Sequence, residues 1–412
     1  MQITPWPDVY MPAVPAKFPL LSIQSTYGLR EFGSISAKSY VCGITPYDST
    51  HLGHAATYIT FDLIHRYIRA SGGTVSFVEN VTDIDEPLLE RAKRDSQDWR
   101  SLGLNQVELF QSDMVALHIL PPRFLVPATS AMDLVDDAIS AMQENGFVYK
   151  VEDDLYFSID SFLGDLPMPL DEALSIFAER GGDPTRAGKK HPLDPVLWWA
   201  NRNGEPGWES SHGFGRPGWH IECCVISLRY LLGEDYLTQK GADPLIDIQG
   251  GGTDLIFPHH FMSAAQAKAM TGRTFAKAYI HSGMIGLDGE KMSKSKGNLI
   301  FVSKLIHEGI DPMVIRLALL QGHYQEDRMW SDSVLASAQK LVDRIRLNLG
   351  KMEVSPAGPL IADIVSLLAD NLKTPAVLKR IEQWCDDSET NASVDEAGLV
   401  ARALDSLLGL AL

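Results

Sequence analysis

Short apolar runs alternate with longer segments of helical spacing in the first part of the chain. The run KSYVCGI predicts a strand, and HLGHAATYITFDLIHRYIRASGG predicts a helix that stops at Gly-Gly, because its apolar residues recur at helical spacing. A second strand is predicted at TVSFVENVTDID. Strand, loop, helix and strand in this order are typical of a doubly wound nucleotide-binding sheet, in which ligands bind at the carboxyl ends of the strands.

The same pattern divides the chain into four segments. Strands at LIDIQ and AYIHSGMI resume the sheet after an interruption that has its own helix near residues 131–145 and a strand at LYFSI. After KMSKSKGN the chain is helical to its end. We therefore predict an α/β fold with a Rossmann-like domain over residues 1–120 and 214–300, an inserted connective region over residues 121–213, and a C-terminal α-helical bundle over residues 301–412.

Composition and charge narrow the class of protein. The 412 residues are 45% hydrophobic, which suffices for a sheet domain with an accessory domain. The sequence has no apolar run of about 18 residues and no cationic leader, so we expect a cytoplasmic protein without a signal peptide or membrane span. The net charge of -17 repels polyanions, and no basic run offsets it. Nucleic acid and membrane are therefore not expected partners, and we expect a monomer.

Two short motifs carry phosphate chemistry. In HLGH, at the start of the first helix, Gly53 lets a base or ribose approach the backbone, while His51 and His54 can donate to phosphate oxygens. KMSKS follows the last strand, and its Lys291 and Lys294 can neutralise charge on a diphosphate leaving group. Taken alone, HLGH could instead contain histidines that only cap a helix, and KMSKS could be an ordinary solvated loop. The pairing and order of the two motifs favour a nucleotide site.

Longer stretches resemble the class I aminoacyl-tRNA synthetases and, within them, the cysteine-activating branch. These stretches are CGITPYDSTHLGH, NVTDID, GWHIEC, DIQGGGTDLIFPHH and KMSKSKGN, which together span about residues 40–298. The resemblance implies a class I synthetase-like Rossmann catalytic domain. It also implies that ATP, used with Mg, converts L-cysteine to an enzyme-bound cysteinyl adenylate.

By resemblance, a defined set of residues lines the adenylate pocket. The set is Cys42, Gly43, Ile44, Thr45, Thr57, Asn80, Val81, Thr82, Trp219, Gly252, Thr253, Asp254, Ile285, Lys291, Ser293 and Lys294. The expected catalytic residues are His51, His54, Lys291, Lys294, Thr45 and Asp254. Asp254 is the candidate partner of the cysteine ammonium, because a carboxylate is its natural charge partner. Trp219 is expected to form a wall of the pocket, with ordinary core packing as the alternative.

A metal site is expected at three dispersed residues. The cysteine-activating branch binds zinc through a cysteine after the first strand, a cysteine ending WHIEC and the first histidine of a pair, which here are Cys42, Cys223 and His259. Two thiolates and an imidazole suit tetrahedral zinc and leave a position open for the substrate thiol. Taken singly, either cysteine could instead be a small buried hydrophobe. Cys224 and Cys385 are assigned to packing.

The segment FPHHFMSAAQAKAM predicts an amphipathic helix that begins near the histidine pair. Cysteinyl-tRNA synthetases typically carry a glutamate ligand one turn after the first histidine, where this chain has Ser263. Three protein ligands resemble instead the ligase family of mycothiol biosynthesis, which joins cysteine to the amine of glucosaminyl-inositol (GlcN-Ins). That family commonly has an acidic residue after the histidine pair, where this chain has Phe261. His260 is expected to contact a ligand or the nucleotide rather than the metal.

Two further features concern the acceptor of the activated cysteine. ERGGDP at residues 179–184 matches the ligase family, although a Gly-Gly turn in an insertion is an alternative. Residues 301–412 carry 11 Lys and Arg against 16 Asp and Glu, unlike a domain that binds an anticodon. We therefore predict an AMP-forming ligase for L-cysteine and GlcN-Ins. The alternatives are a cysteinyl-tRNA synthetase with a shortened C-terminal domain and a non-enzymatic, zinc-holding interaction protein.

Overall fold

The computed structural model describes residues 3–33, 35–202, 204–239, 241–287, 289–292 and 297–412. The strands are β1 (Leu21–Ser25), β2 (Gly28–Phe32), β3 (Ser36–Ile44), β4 (Thr74–Val81), β5 (Phe124–Pro127), β6 (Val148–Val151), β7 (Asp154–Phe157), β8 (Val196–Ala200), β9 (Gly215–Pro217), β10 (Ile246–Gly252), β11 (Ala276–Ser282), β12 (Ile285–Leu287), β13 (Glu290–Lys291) and β14 (Arg328–Trp330). The helices are α1 (Leu52–Ala70), α2 (Glu86–Arg94), α3 (Trp99–Ala116), α4 (Met132–Glu144), α5 (Leu170–Glu179), α6 (Trp219–Leu232), α7 (Phe261–Thr271), α8 (Val302–His307), α9 (Pro312–Leu320), α10 (Asp332–Leu349), α11 (Ala357–Ala369), α12 (Thr374–Thr390) and α13 (Ala397–Leu408).

A parallel sheet of order β11-β10-β3-β4-β5 forms the centre of the fold. The predicted strands at KSYVCGI, TVSFVENV, LIDIQ and AYIHS are confirmed as β3, β4, β10 and β11, and the predicted helix between the first two is α1. Strand β5 also pairs in this sheet, although it follows residue 121, where the inserted region is predicted to begin. Its four residues are too few to show a period by themselves.

The inserted region contributes α4, α5 and three strands of a separate antiparallel sheet of order β6-β7-β8-β9, and the fourth strand, β9, begins just after the predicted end of this region at residue 213. The predicted helix near residues 131–145 and the predicted strand at LYFSI are confirmed as α4 and β7. The helix that follows the histidine pair, α7, is buried at nearly every position against α4 and α6. The prediction that this helix is amphipathic is therefore wrong, because it packs inside the domain and not at its surface.

The segment after residue 300 is helical from α8 to α13 apart from β14, which pairs with β12 of the preceding domain. A buried ionic cluster also joins the two parts. Asp62 of α1 contacts Arg66 at 2.7 Å and Arg316 of α9, and Arg316 donates to the carbonyl of Leu408 at 2.7 Å.

None of the helices in the described part of the chain has the length and apolar character that a membrane crossing requires.

Candidate active site and metal centre

A cavity of about 390 Å³ opens at the carboxyl ends of β3, β4 and β10. This is the edge where a doubly wound sheet binds its ligands. The expected site residues that line the cavity are Cys42, Gly43, Thr45, His51, His54, Thr57, Asn80, Thr82, Trp219, Cys223, Gly252, Asp254 and His259. Ile44, Val81 and Ile285 are buried in the core instead. Lys291 belongs to strand β13, whereas Ser293 and Lys294 lie outside the described residues.

The end of β3 is shaped by a β-bulge that lies between Val41 and Ile44. Asn80 of β4 stabilises it, because its side-chain oxygen accepts hydrogen bonds from the Gly43 amide at 2.8 Å and the Tyr40 hydroxyl at 2.9 Å. A Cβ at Gly43 would lie 1.7 Å from the Asn80 carbonyl oxygen, so only glycine fits. The bulge thereby turns the residues next to it towards the cavity.

Three potential metal ligands converge in the wall of this cavity. Ligand atoms of Cys42, Cys223 and His259 all lie within 4.8 Å of one another, and all three residues are buried. The pKa of Cys223 is raised by its hydrogen bond to Cys42 and by burial, while burial and the neighbouring His220 lower the pKa of His259. A neutral imidazole can bind a metal directly, and a bound cation would stabilise the two thiolates.

Three further histidines surround these ligands. His260 is expected from the sequence to contact a ligand or the nucleotide, whereas His220 and His281 are not predicted to belong to the site. His220 Nδ1 lies 3.0 Å from His259 Nδ1. On the other side, His260 Nε2 lies 3.1 Å from Cys42 Sγ, and His260 Nδ1 lies 2.8 Å from His281 Nε2. Such partners fix ring orientation around a metal ligand. His220 could have been noted from its place in GWHIEC, whereas His281 ends a buried strand and carries no local signal.

Ser263, which stands where a fourth protein ligand is typical of the synthetases, has another partner. Its hydroxyl donates to the His220 carbonyl at 3.1 Å and is completely buried. This contact joins α7 to α6, the helix that carries Cys223. The serine hydroxyl therefore has a backbone partner and helps to hold α7, which follows His259, against α6.

The HLGH motif begins α1 at the opposite side of the cavity. His51 is the N-cap residue, and its Nδ1 accepts from the Gly53 amide at 3.1 Å and the His54 amide at 3.4 Å. The two imidazole rings stack with their centroids 3.8 Å apart. Burial lowers the pKa of His54 to about 4, and its Nδ1 has no hydrogen-bond partner among the described residues. His51 therefore caps the helix while both histidines also line the cavity.

Trp219 and Arg180 also line the cavity, and each contacts another residue of its lining. The Trp219 indole stacks on the His259 imidazole, with centroids 4.2 Å apart and an interplanar angle of 22°, and forms a wall of the cavity. Arg180, from the ERGGDP loop, donates to the Asp254 carbonyl at 2.7 Å. The inserted region thus reaches the cavity, which the sequence alone did not indicate.

Comparison with known proteins places this geometry in context. Residues 30–340 match the family model described as tRNA synthetases class I (C) catalytic domain. A protein of Gordonia bronchialis named L-cysteine:1D-myo-inositol 2-amino-2-deoxy-alpha-D-glucopyranoside ligase is 48% identical, with 98% of each chain covered. A protein of the same name from Mycolicibacterium smegmatis is 47% identical and covers 98% of this chain and 99% of its own length.

Solved structures show the same fold at low sequence identity. Mycobacterium tuberculosis methionyl-tRNA synthetase in complex with methionyl-adenylate gives a TM-score of 0.63 at 15% identity, covering 90% of this chain and 92% of that one. A leucyl enzyme, the Agrobacterium radiobacter K84 agnB2 LeuRS in a ternary complex with tRNA and LeuAMS, gives a TM-score of 0.61 at 12% identity, covering 91% and 83% of the two chains. The structural similarity concerns the fold alone.

Proposed function

We propose that this chain, which belongs to the class I tRNA synthetase (C) family, is an ATP-dependent, AMP-forming ligase of L-cysteine. The acceptor in this proposal is the amine of GlcN-Ins, because relatives named as ligases of that amino sugar are 46% to 48% identical over nearly the whole chain. The products are Cys-GlcN-Ins, AMP and diphosphate, and the reaction serves mycothiol biosynthesis.

One juxtaposition in the structure supports this chemistry. The buried cluster of Cys42, Cys223 and His259 lies in the wall of the cavity that also contains the HLGH motif. A cysteine whose thiol is held at the cluster would have its carboxylate in the same cavity as the phosphates of ATP. Holding both reactants in one geometry is the main contribution that such a site makes to the rate.

The cluster fits zinc, because two sulfurs and one imidazole nitrogen form a donor set typical of that metal. Zinc bound there would hold the substrate thiol as a thiolate and so disfavour serine. His260 would orient Cys42, and His220 would orient His259, through the hydrogen bonds described above. We expect one zinc ion per chain.

The remaining site residues act on the substrate directly in this proposal. Asp254 binds the cysteine ammonium, and His51 and His54 contact the phosphates of ATP, which enters with Mg. Lys291, together with Lys294 outside the described residues, neutralises the departing diphosphate. A carboxylate oxygen of cysteine bonds to the α-phosphorus as diphosphate leaves. The acceptor amine, in its neutral form, then bonds through nitrogen to the carbonyl carbon as AMP leaves, and the nitrogen releases a proton to give the amide.

The C-terminal helices brace the catalytic domain in this proposal and do not bind an anticodon. Arg316 of α9 and the carbonyls near the end of α13 meet α1, the helix that begins at HLGH, in the buried ionic cluster. We also propose that the enzyme acts as a monomer.

An acceptor assay tests the proposal directly. Purified protein receives L-cysteine and ATP together with either GlcN-Ins or tRNA, and the cysteine adduct is quantified by mass spectrometry. We expect the amide with GlcN-Ins only, whereas cysteine attached to tRNA would contradict the proposed acceptor. Cysteine-dependent exchange of diphosphate into ATP is expected even without an acceptor, and its absence would instead indicate a non-enzymatic relative.

The metal cluster is tested with Cys42→Ala and His259→Ala, and Cys385→Ala serves as a matched control, since Cys385 is buried in the helical bundle. We expect the first two variants to lose both zinc and diphosphate exchange. The control is expected to keep both. Full exchange activity in a metal-free Cys42 variant would contradict the anchoring role.

A further inference from the structure

A second cavity of about 480 Å³ adjoins the adenylate cavity. The two share Thr82, Asp85, Pro87, Arg180 and Trp219. These five residues line both cavities, and we call the place where they lie the junction. Molecules bound in the two cavities could contact each other there. The lining of the second cavity also includes Gly181 and Gly182, so the ERGGDP loop forms part of its wall. Its volume lies within the range of small-molecule sites.

The cations of this cavity already have partners within the protein. Arg180 donates to the Asp254 carbonyl at 2.7 Å, and Arg216 donates to Glu205 at 2.8 Å. Arg202 lies 3.3 Å from Asp154 and over the ring of Trp199. These guanidinium groups therefore hold the wall together, and an anion in the cavity would have to compete with their existing contacts.

The carboxylates of the cavity retain capacity to accept hydrogen bonds. Asp85 caps α2 by accepting from the Glu86 amide at 2.8 Å, and it lies at the junction of the two cavities. Glu222 is only 2% exposed, and its Oε2 has no hydrogen-bond partner among the described residues. A buried, unpaired carboxylate oxygen is costly, so a ligand that brings donors would relieve it.

A ligand that suits this wall carries one cationic amine and several hydroxyl groups. The amine would pair with Asp85, and hydroxyl hydrogens would satisfy the unpaired oxygen of Glu222. Trp199 and Trp219 add apolar surface for the carbon skeleton of a sugar ring. An amino sugar supplies an amine for Asp85, hydroxyl groups for Glu222 and a ring face for the two tryptophans.

We propose that this second cavity is the acceptor subsite and that it holds an amino sugar with its amine at Asp85 and its hydroxyl groups at Glu222. This assignment rests on the proposed function, because the occupant must be the amine that attacks the adenylate. The amine nitrogen at Asp85 lies at the junction and faces the cavity in which the cysteinyl adenylate forms, so it can attack the adenylate once the ammonium ion has given up a proton. The ERGGDP loop then serves acceptor binding.

Steady-state kinetics of Asp85→Asn and Glu222→Gln test the assignment. Asp85→Asn removes the carboxylate charge, and Glu222→Gln replaces one carboxyl oxygen by an amide nitrogen. Both changes keep the side-chain shape, and asparagine can still cap α2. We expect KM for GlcN-Ins to rise about 10-fold in each variant, because a hydrogen-bond acceptor for the ligand is lost. KM for cysteine and for ATP, measured by diphosphate exchange, should show no comparable rise. Glu144→Gln, at the exposed end of α4, is the matched control and should keep the wild-type KM for the acceptor.

The outcomes separate this inference from the proposed function. If the wild type does not join cysteine to GlcN-Ins, the proposed function fails. If the wild type does so and both variants keep its KM for GlcN-Ins, the subsite assignment is overturned. A crystal structure of the wild type with GlcN-Ins provides a test that does not depend on variant folding. Density for the sugar in the second cavity supports the assignment, and density elsewhere overturns it.

Discussion

Replacing Asp62 by asparagine tests how the helical bundle is fastened to the catalytic domain. The Asp62 carboxylate contacts Arg66 at 2.7 Å and also Arg316, and it accepts from the Leu120 amide at 2.9 Å. The three charged side chains are all completely buried. One carboxylate thus connects α1 with α9 and with the segment that precedes β5.

The expected loss in the free energy of unfolding follows from the charges that Asp62→Asn would leave without a partner. Burial raises the pKa of Asp62, but Arg66 and Arg316 outweigh it and lower the pKa from 3.8 to about 2. At 1.36 kcal/mol per pKa unit, the charged form is favoured by roughly 2 kcal/mol. Asparagine would forfeit that interaction and leave two buried guanidinium groups without a counterion. We expect the free energy of unfolding to fall by about 3–5 kcal/mol.

Urea denaturation at neutral pH, followed by circular dichroism, measures this change. Asp363→Asn is the matched control, because Asp363 pairs with Arg380 at 2.7 Å but is 52% exposed. Exposed pairs contribute at most about 1 kcal/mol, so the control should lie close to the wild type. If Asp62→Asn and the control lose similar amounts of stability, the buried cluster does not fasten the domains as argued.

Three other predictions concern pH, backbone and metal. Because the pKa of Asp62 in the folded protein lies below its unfolded value, the stability that the charged Asp62 contributes is present above about pH 4 and is lost as the pH falls towards 2. The urea midpoints of the wild type and Asp62→Asn should therefore approach each other only as the pH falls from about 4 towards 2. Gly43→Ala should slow diphosphate exchange by about 100-fold, since the added Cβ would collide with the Asn80 carbonyl oxygen; exchange at the wild-type rate would contradict this. Ser263→Ala should retain zinc, measured by elemental analysis, because Ser263 is not one of the three converging ligand residues and its hydroxyl is bonded to the His220 carbonyl; loss of the metal would show that this hydroxyl is needed to hold the site.

Local pattern alone determined the order of the principal elements. Near-continuous apolar runs predicted β3, β4, β10 and β11, and helical spacing predicted α1, because periodicity is a property of neighbouring residues. Chemically distinctive residues in those elements then indicated the site. Cys42, Cys223 and His259 could be proposed from residue type and motif position, and the fold brings their ligand atoms within 4.8 Å of one another.

Tertiary structure decided what depends on distant parts of the chain. His260 and Cys42 are 218 residues apart in sequence yet 3.1 Å apart in space, and the placement of β5 in the sheet, the burial of α7 and the contact of Arg180 with Asp254 are also set by packing. The second cavity exists only because the inserted region lies against the sheet edge. Sequence periodicity reports which face of an element is apolar, whereas hydrogen bonds and cavities depend on which elements meet, and that is fixed by the packing of the whole chain.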